Sequence, residues 1–150
     1  MRLKMEVEIN IAPNYYPPKI YVYSNELTDE ISDAIKILKK YSNFSLNGFK
    51  ENELYLLKLT EIETFYTENK KVYAKQNGVS YEIKERLYEL EELLDKKTFV
   101  RISNSEIVNF KKVEKLNFKL TGSIILYFTN GNITYVSRRY IKKIKDYLEI

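Results

Sequence analysis

The apolar positions of this chain change period several times, and each period predicts a different element. Met5, Val7, Ile9 and Ile11 alternate with Glu6, Glu8 and Asn10, and Ile20-Tyr21-Val22-Tyr23 is β-branched and aromatic. Two short strands are therefore expected, separated by Pro13 and Pro17-Pro18. The period then lengthens. Ile31, Ile35 and Leu38 share one face of a helix expected from about Asp29 to Tyr41, capped by Thr28, acidic in its first turn (Asp29, Glu30) and basic in its last (Lys39, Lys40).

Ser42 to Gly48 is rich in turn formers and reads as the principal boundary, dividing the chain into an extension at 1–45 and a domain at 46–150. Beyond it β signals dominate. Leu54 to Leu59 and Ile62 to Tyr66 predict strands, and Val72 to Gln76 with Val79 to Lys84 flank Asn77-Gly78, the strongest short hairpin signal. Asn130-Gly131 likewise joins Ile124 to Phe128 with Ile133 to Val136. One helix is expected from about Arg86 to Leu94, with Leu87, Leu90 and Leu94 inward; another starts after Ser137 and buries Ile141, Ile144 and Leu148. The expected fold class is mainly β with short helices, preceded by a strand and helix extension.

Composition narrows the chemistry by subtraction. The chain has 150 residues, is 44% apolar and 31% charged, and contains neither Cys nor His. It is long enough for one core and short for a multidomain enzyme. The missing residue types remove disulfides, thiol nucleophiles, zinc fingers and the commonest metal ligand. The four glycines are never closer than nine residues apart, which leaves no phosphate-cradling loop. Glu82, Glu85, Glu89, Glu91, Glu92 and Asp95 alternate with Lys84, Arg86, Lys96 and Lys97, as on a solvated helix face rather than a catalytic or magnesium site. No catalytic activity, cofactor or metal is expected. With no long apolar run and no signal-like start, a cytoplasmic protein without membrane insertion is expected.

Charge then singles out one region. Residues 1–45 hold six basic and six acidic side chains, residues 46–98 hold nine and eleven, and residues 99–150 hold ten and four. The net charge of +4 is therefore concentrated in the last third, as expected of a surface that meets a polyanion. Of only five arginines, Arg101, Arg138 and Arg139 lie there. Ser137 is a good helix cap, and placing Arg138 and Arg139 just after it works against the helix dipole unless an anion arrives. Ser103-Asn104-Ser105 breaks a strand; it could be a plain turn, or it could present Asn104 to a base edge and hydroxyls to phosphate. The fourteen tyrosines are expected to be mostly cross-strand packing.

Three segments together resemble the LytTR family of bacterial DNA-binding domains: Phe99-Val100-Arg101-Ile102-Ser103-Asn104-Ser105-Glu106-Ile107-Val108-Asn109, then Thr129-Asn130-Gly131, then Tyr135-Val136-Ser137-Arg138-Arg139-Tyr140-Ile141-Lys142-Lys143. The family pattern is F-x-R-x-H-x-S-x-x-V-N, an N-G hairpin and V-S-R-x-Y. The resemblance covers about residues 46–150, including Ile62 to Ala74 and the Leu87 to Leu94 helix. It implies an elongated set of small antiparallel sheets whose loops enter successive major grooves of promoter DNA, as a homodimer on paired direct repeats. By position, Asn104 and Arg139 are implied to face base edges. Lys70 and Lys71 match a further contact point, and Ser103, Ser105, Ser137 and Arg138 are assigned to the DNA backbone, with Arg101 beside them. Ser103 stands where the family usually has His, so a contact made by that imidazole does not carry over.

Two functions are compatible with this reading: a double-stranded DNA-binding transcriptional regulator similar to short stand-alone LytTR proteins, and a module that docks an acidic regulatory protein partner. An extension of 45 residues is too short for the receiver domain found in many response-regulator relatives. It is expected to pack on the core or form a dimer contact, since Ile31, Ile35 and Leu38 would otherwise leave an apolar stripe exposed.

Overall fold

The computed structural model describes residues 5–15, 18–39 and 45–150. Helix α1 (Asp29–Lys39) is followed by β1 (Ser45–Lys50), β2 (Glu53–Lys58), β3 (Ile62–Glu68), β4 (Lys71–Gln76), β5 (Val79–Ile83), α2 (Leu87–Leu93), β6 (Phe99–Ser103), β7 (Glu106–Asn109), β8 (Val113–Phe118), β9 (Ile124–Phe128), β10 (Ile133–Val136) and α3 (Ile141–Tyr147). The strands form a seven-stranded sheet, ordered β2-β1-β5-β4-β3-β7-β6, and a three-stranded sheet, β10-β9-β8, with antiparallel pairing throughout. The mainly β class with short helices is observed.

Hairpin chemistry organises the larger sheet. Three of its two-residue turns, Glu51-Asn52, Asn69-Lys70 and Asn77-Gly78, have positive φ at both central residues. Such turns match the right-handed twist of the strands they join. Only the third carries the Asn-Gly signature; at the other two, register forces an acidic or basic residue into the left-handed region, at a cost of about 1 kcal/mol each. In the smaller sheet, Asn130-Gly131 belongs to a three-residue loop: the Phe128 carbonyl accepts from Gly131 N–H at 3.0 Å, Phe128 N–H donates to Asn132 O at 2.8 Å, and φ is positive at Gly131.

Two cores lie back to back across one hairpin. Leu46, Leu57, Ile62, Phe65, Leu87, Leu90 and Ile107 form one, between the large sheet and α2. Val100, Ile102, Val108, Ile124, Leu126, Phe128 and Ile144 form the other, where that sheet meets the small sheet and α3. Because strand side chains alternate faces, Ile107 enters the first core and its neighbour Val108 the second. The β6–β7 hairpin is thus buried on both faces and rigidly held. Polar tethers join the sheets as well. Glu106 accepts from the hydroxyls of Thr64 at 2.7 Å and Thr134 at 2.6 Å, and buried Glu63 accepts from Asn130 Nδ2 at 2.8 Å.

Three expectations need correction. Residues 5–11 and 20–23 form no strand, because among the described residues no neighbouring strand offers its backbone groups to them. The boundary expected at Ser42 to Gly48 is partly strand: β1 begins at Ser45, while residues 42–44 lie outside the described residues. Gly48 is buried there, and a Cβ would stand 2.7 Å from Leu57 Cδ1 and 2.8 Å from Tyr81 Cβ, so this glycine permits close packing rather than a turn. The carboxylates of α2 are not one solvated face, since Glu91 holds two cations. The Thr28 cap is present, its hydroxyl accepting from Ile31 N–H at 3.3 Å.

Candidate nucleic-acid interface

The site begins with the β6–β7 turn. Arg101, half-buried on β6, points along its own strand: its Nε donates to Ser103 O at 3.0 Å and its Nη2 to Asn104 O at 2.6 Å, while Nη1 meets the Glu91 carboxylate. One guanidinium fork therefore fixes two consecutive carbonyls of the turn, a task that suits its planar array of donors. Glu91 also reaches Lys143 Nζ at 3.7 Å, linking α2, β6 and α3. Ser103 Oγ accepts from Ser105 N–H at 3.2 Å and lies 3.3 Å from Ser105 Oγ, closing the turn locally. Asn104 and Ser105 are exposed.

The other candidates converge on this turn through backbone pairing. Thr67 N–H donates to Ser105 O at 2.9 Å, which sets the Asn69-Lys70 turn beside the Asn104-Ser105 turn at one end of the large sheet. Ser137 N–H donates to Ile102 O at 2.9 Å, docking the exit of β10 on the free edge of β6. Tyr140 Oη then reaches Asn104 Oδ1 at 3.1 Å. Asn104 keeps its Nδ2 donor and a second lone pair for an outside partner.

Ser137 occupies the cap position, but its side chain makes no cap hydrogen bond, and Arg138–Tyr140 form a 3-10 turn that precedes α3. Arg138 and Arg139 thus stand on a tight turn before the helix rather than in its first α-turn. Both are exposed, and their guanidinium groups make no hydrogen bond or ion pair among the described residues. Lys70 is exposed on its left-handed turn, whereas Lys71 begins β4 and lies 3.5 Å from Glu82. Of the sequence-derived candidates, Lys70, Asn104, Ser105, Arg138 and Arg139 share one end with free polar groups; Arg101 is committed inside the protein. Residue order does not mark Tyr140 and Glu91 as supports, because their partners lie 36 and 10 residues away.

Beside the site, Asp95 closes the connection from α2 to β6. Its carboxylate accepts from Lys97 N–H at 3.1 Å and Thr98 Oγ1 at 2.9 Å, and these bonds hold it below the usual carboxylate range. Burial, with Asp95 nearby, pushes the Tyr147 phenol up.

The chain is similar to known proteins in sequence along its whole length and in fold over most of it. HTH-type transcriptional regulators of Staphylococcus aureus strains NCTC 8325 and COL are each 35% identical over 153 residues, covering 100% of this chain and 99% of theirs. A LytTr DNA-binding domain from Bacillus cereus superposes with a TM-score of 0.68 at 22% identity, covering 71% of this chain and 97% of that one. In this chain strands intervene between all three α-helices, so no helix-turn-helix unit exists among the described residues. The LytTr DNA-binding domain family matches residues 52–149, and the chain belongs to that family.

Proposed function

We propose that this protein is a sequence-specific, double-stranded DNA-binding transcriptional regulator in which residues 46–150 form the DNA-binding unit and residues 1–45 an extension. The observation that carries the reading is the gathering of Lys70, Asn104, Ser105, Arg138 and Arg139 at one end of the large sheet, with both arginines unpaired among the described residues. A major groove has room for such protruding turns, and it offers guanine to arginine and adenine to asparagine. Asn104 and Arg139 face bases, while Lys70, Ser105, Arg138 and Ser137 hold phosphates. Lys71, paired with Glu82, adds charge. Arg101 and Ser103 serve by shaping the turn. Two copies occupy paired direct repeats in promoter DNA.

Selection of bound sequences from random duplex DNA, followed by affinity measurements across a salt series, tests this. The expected results are an enriched repeat motif and a log–log salt slope of about −0.9 per neutralised phosphate. Arg139→Ala is expected to lower the ratio of specific to non-specific affinity, whereas Lys142→Ala weakens all sequences alike. No enriched motif, together with a shallow slope and tight capture of an acidic protein, would favour the protein-docking alternative instead.

A further inference from the structure

We infer that residues 5–11 are a self-association arm that adds as a strand to the free edge of β2 in a second copy of this chain. This deepens the paired-copy reading above by naming the element that joins the copies. It does not depend on which residues read DNA.

The arm carries a strand pattern without a strand partner among the described residues. Met5, Val7, Ile9 and Ile11 are 56%, 86%, 77% and 92% exposed, and Ile20 and Val22 continue the apolar exposure at 69% and 49%. Scattered exposed aliphatics are ordinary, but a consecutive alternating series of them is not. Meanwhile β2, the terminal strand of the large sheet, presents an unpaired backbone edge among the described residues. Its Leu54 and Leu56 share the outward face and are 56% and 71% exposed. An edge with exposed leucines and an extended segment of strand pattern with exposed aliphatics meet each other's needs through backbone hydrogen bonds and apolar contact.

The chemistry between the aliphatics selects the class of partner. Glu6, Glu8 and Asn10 occupy the alternate positions, and carboxylates there oppose docking on DNA phosphates or on anionic lipid. A second copy supplies the matching edge, and symmetry makes the exchange reciprocal, so that both arms and both edges are covered. A stable interface needs roughly 800 Å² per partner, an area within reach when each copy both lays its four exposed aliphatic side chains on a leucine-bearing edge and receives the other's. The S. aureus relatives match this chain over its full length, arm included, whereas the B. cereus domain covers 71% of it.

Sedimentation equilibrium on the full-length protein at micromolar concentration, together with binding to a DNA carrying one half of the selected repeat, tests this. The full chain is expected to sediment as a dimer. Val7→Asp with Ile9→Asp, and separately Leu54→Ser with Leu56→Ser, should each give a monomer with an unchanged far-ultraviolet spectrum and unchanged half-site affinity. A monomeric wild type, whether its arm is protected from hydrogen exchange within the chain or open to solvent, overturns the inference, as does a dimer that survives either pair of substitutions. Failure of half-site binding by the wild type would count against the DNA reading and leave the arm result intact.

Discussion

Tyr140 donates its hydroxyl hydrogen to Asn104 Oδ1 at 3.1 Å, joining the 3-10 turn before α3 to the β6–β7 turn across 36 residues. The bond holds the Asn104 amide by its oxygen and leaves Nδ2 without a partner among the described residues. A side chain that must meet an adenine edge with both its donor and its acceptor gains from being oriented in advance. Asn104→Ala is expected to weaken binding to the selected sequence by about 1 to 3 kcal/mol and to relax preference at one or two base pairs. Tyr140→Phe, which removes only the hydroxyl, should cost about 0.5 to 1.5 kcal/mol of the same affinity. Anisotropy titrations with matched and mismatched duplexes measure both; an Asn104→Ala protein that unfolds would make Asn104 a turn residue only.

Arg101 is a support, not a free cation. Its side chain is 17% exposed, Glu91 is 35% exposed, and the same guanidinium holds the Ser103 and Asn104 carbonyls. Arg101→Ala is expected to lower stability by about 1 to 3 kcal/mol, read from the urea midpoint, because it leaves two carbonyls and a carboxylate without their donor. Arg101→Lys should restore little, since an ammonium cannot span the three acceptors in that plane. The salt slope of DNA binding by the remaining folded protein should not change. A slope reduced by about one unit would assign Arg101 to a phosphate instead.

Acid should weaken the link between α2 and β6 through Asp95. Its folded pKa is lowered by the Lys97 N–H and the Thr98 hydroxyl, so its contribution is fully present above the ordinary carboxylate value of 3.8 and is lost as pH falls through the folded value. Asp95→Asn is expected to lower stability by about 0.5 to 1 kcal/mol near neutral pH, discounted for its exposed position. Thermal unfolding compared at pH 6 and pH 3 should show the gap between wild type and variant closing at the lower value. A gap independent of pH would place the effect in the neutral hydrogen bonds.

Gly48→Ala should destabilise the β1–β2 hairpin by about 1 to 3 kcal/mol, since the new methyl would stand 2.7 Å from Leu57 Cδ1 and 2.8 Å from Tyr81 Cβ. Hydrogen exchange of β1 and β2 amides reads the effect locally. Unchanged protection there would mean that the sheet can open to admit the methyl.

Local pattern by itself determined much of this protein. An apolar and aromatic run marked β3, the Asn-Gly turns marked β4 with β5 and β9 with β10, the spacing of Leu87, Leu90 and Leu94 marked α2, and Thr28 marked the start of α1, because turn chemistry, burial and capping follow directly from residue order. The turn at Asn104 and the arginine pair at 138 and 139 were legible as departures from that pattern. What only the tertiary structure decided was which polar groups spend themselves inside the molecule. Arg101 and Arg138 are the same residue type in the same basic third of the chain, yet one faces Glu91 from a neighbouring helix and the other faces solvent. Ser42 to Gly48 reads as a turn until Leu57 and Tyr81 close on Gly48. Likewise, residues 5–11 have every local property of a strand and form none, because a strand is a relation between two segments and its partner must come from elsewhere in space.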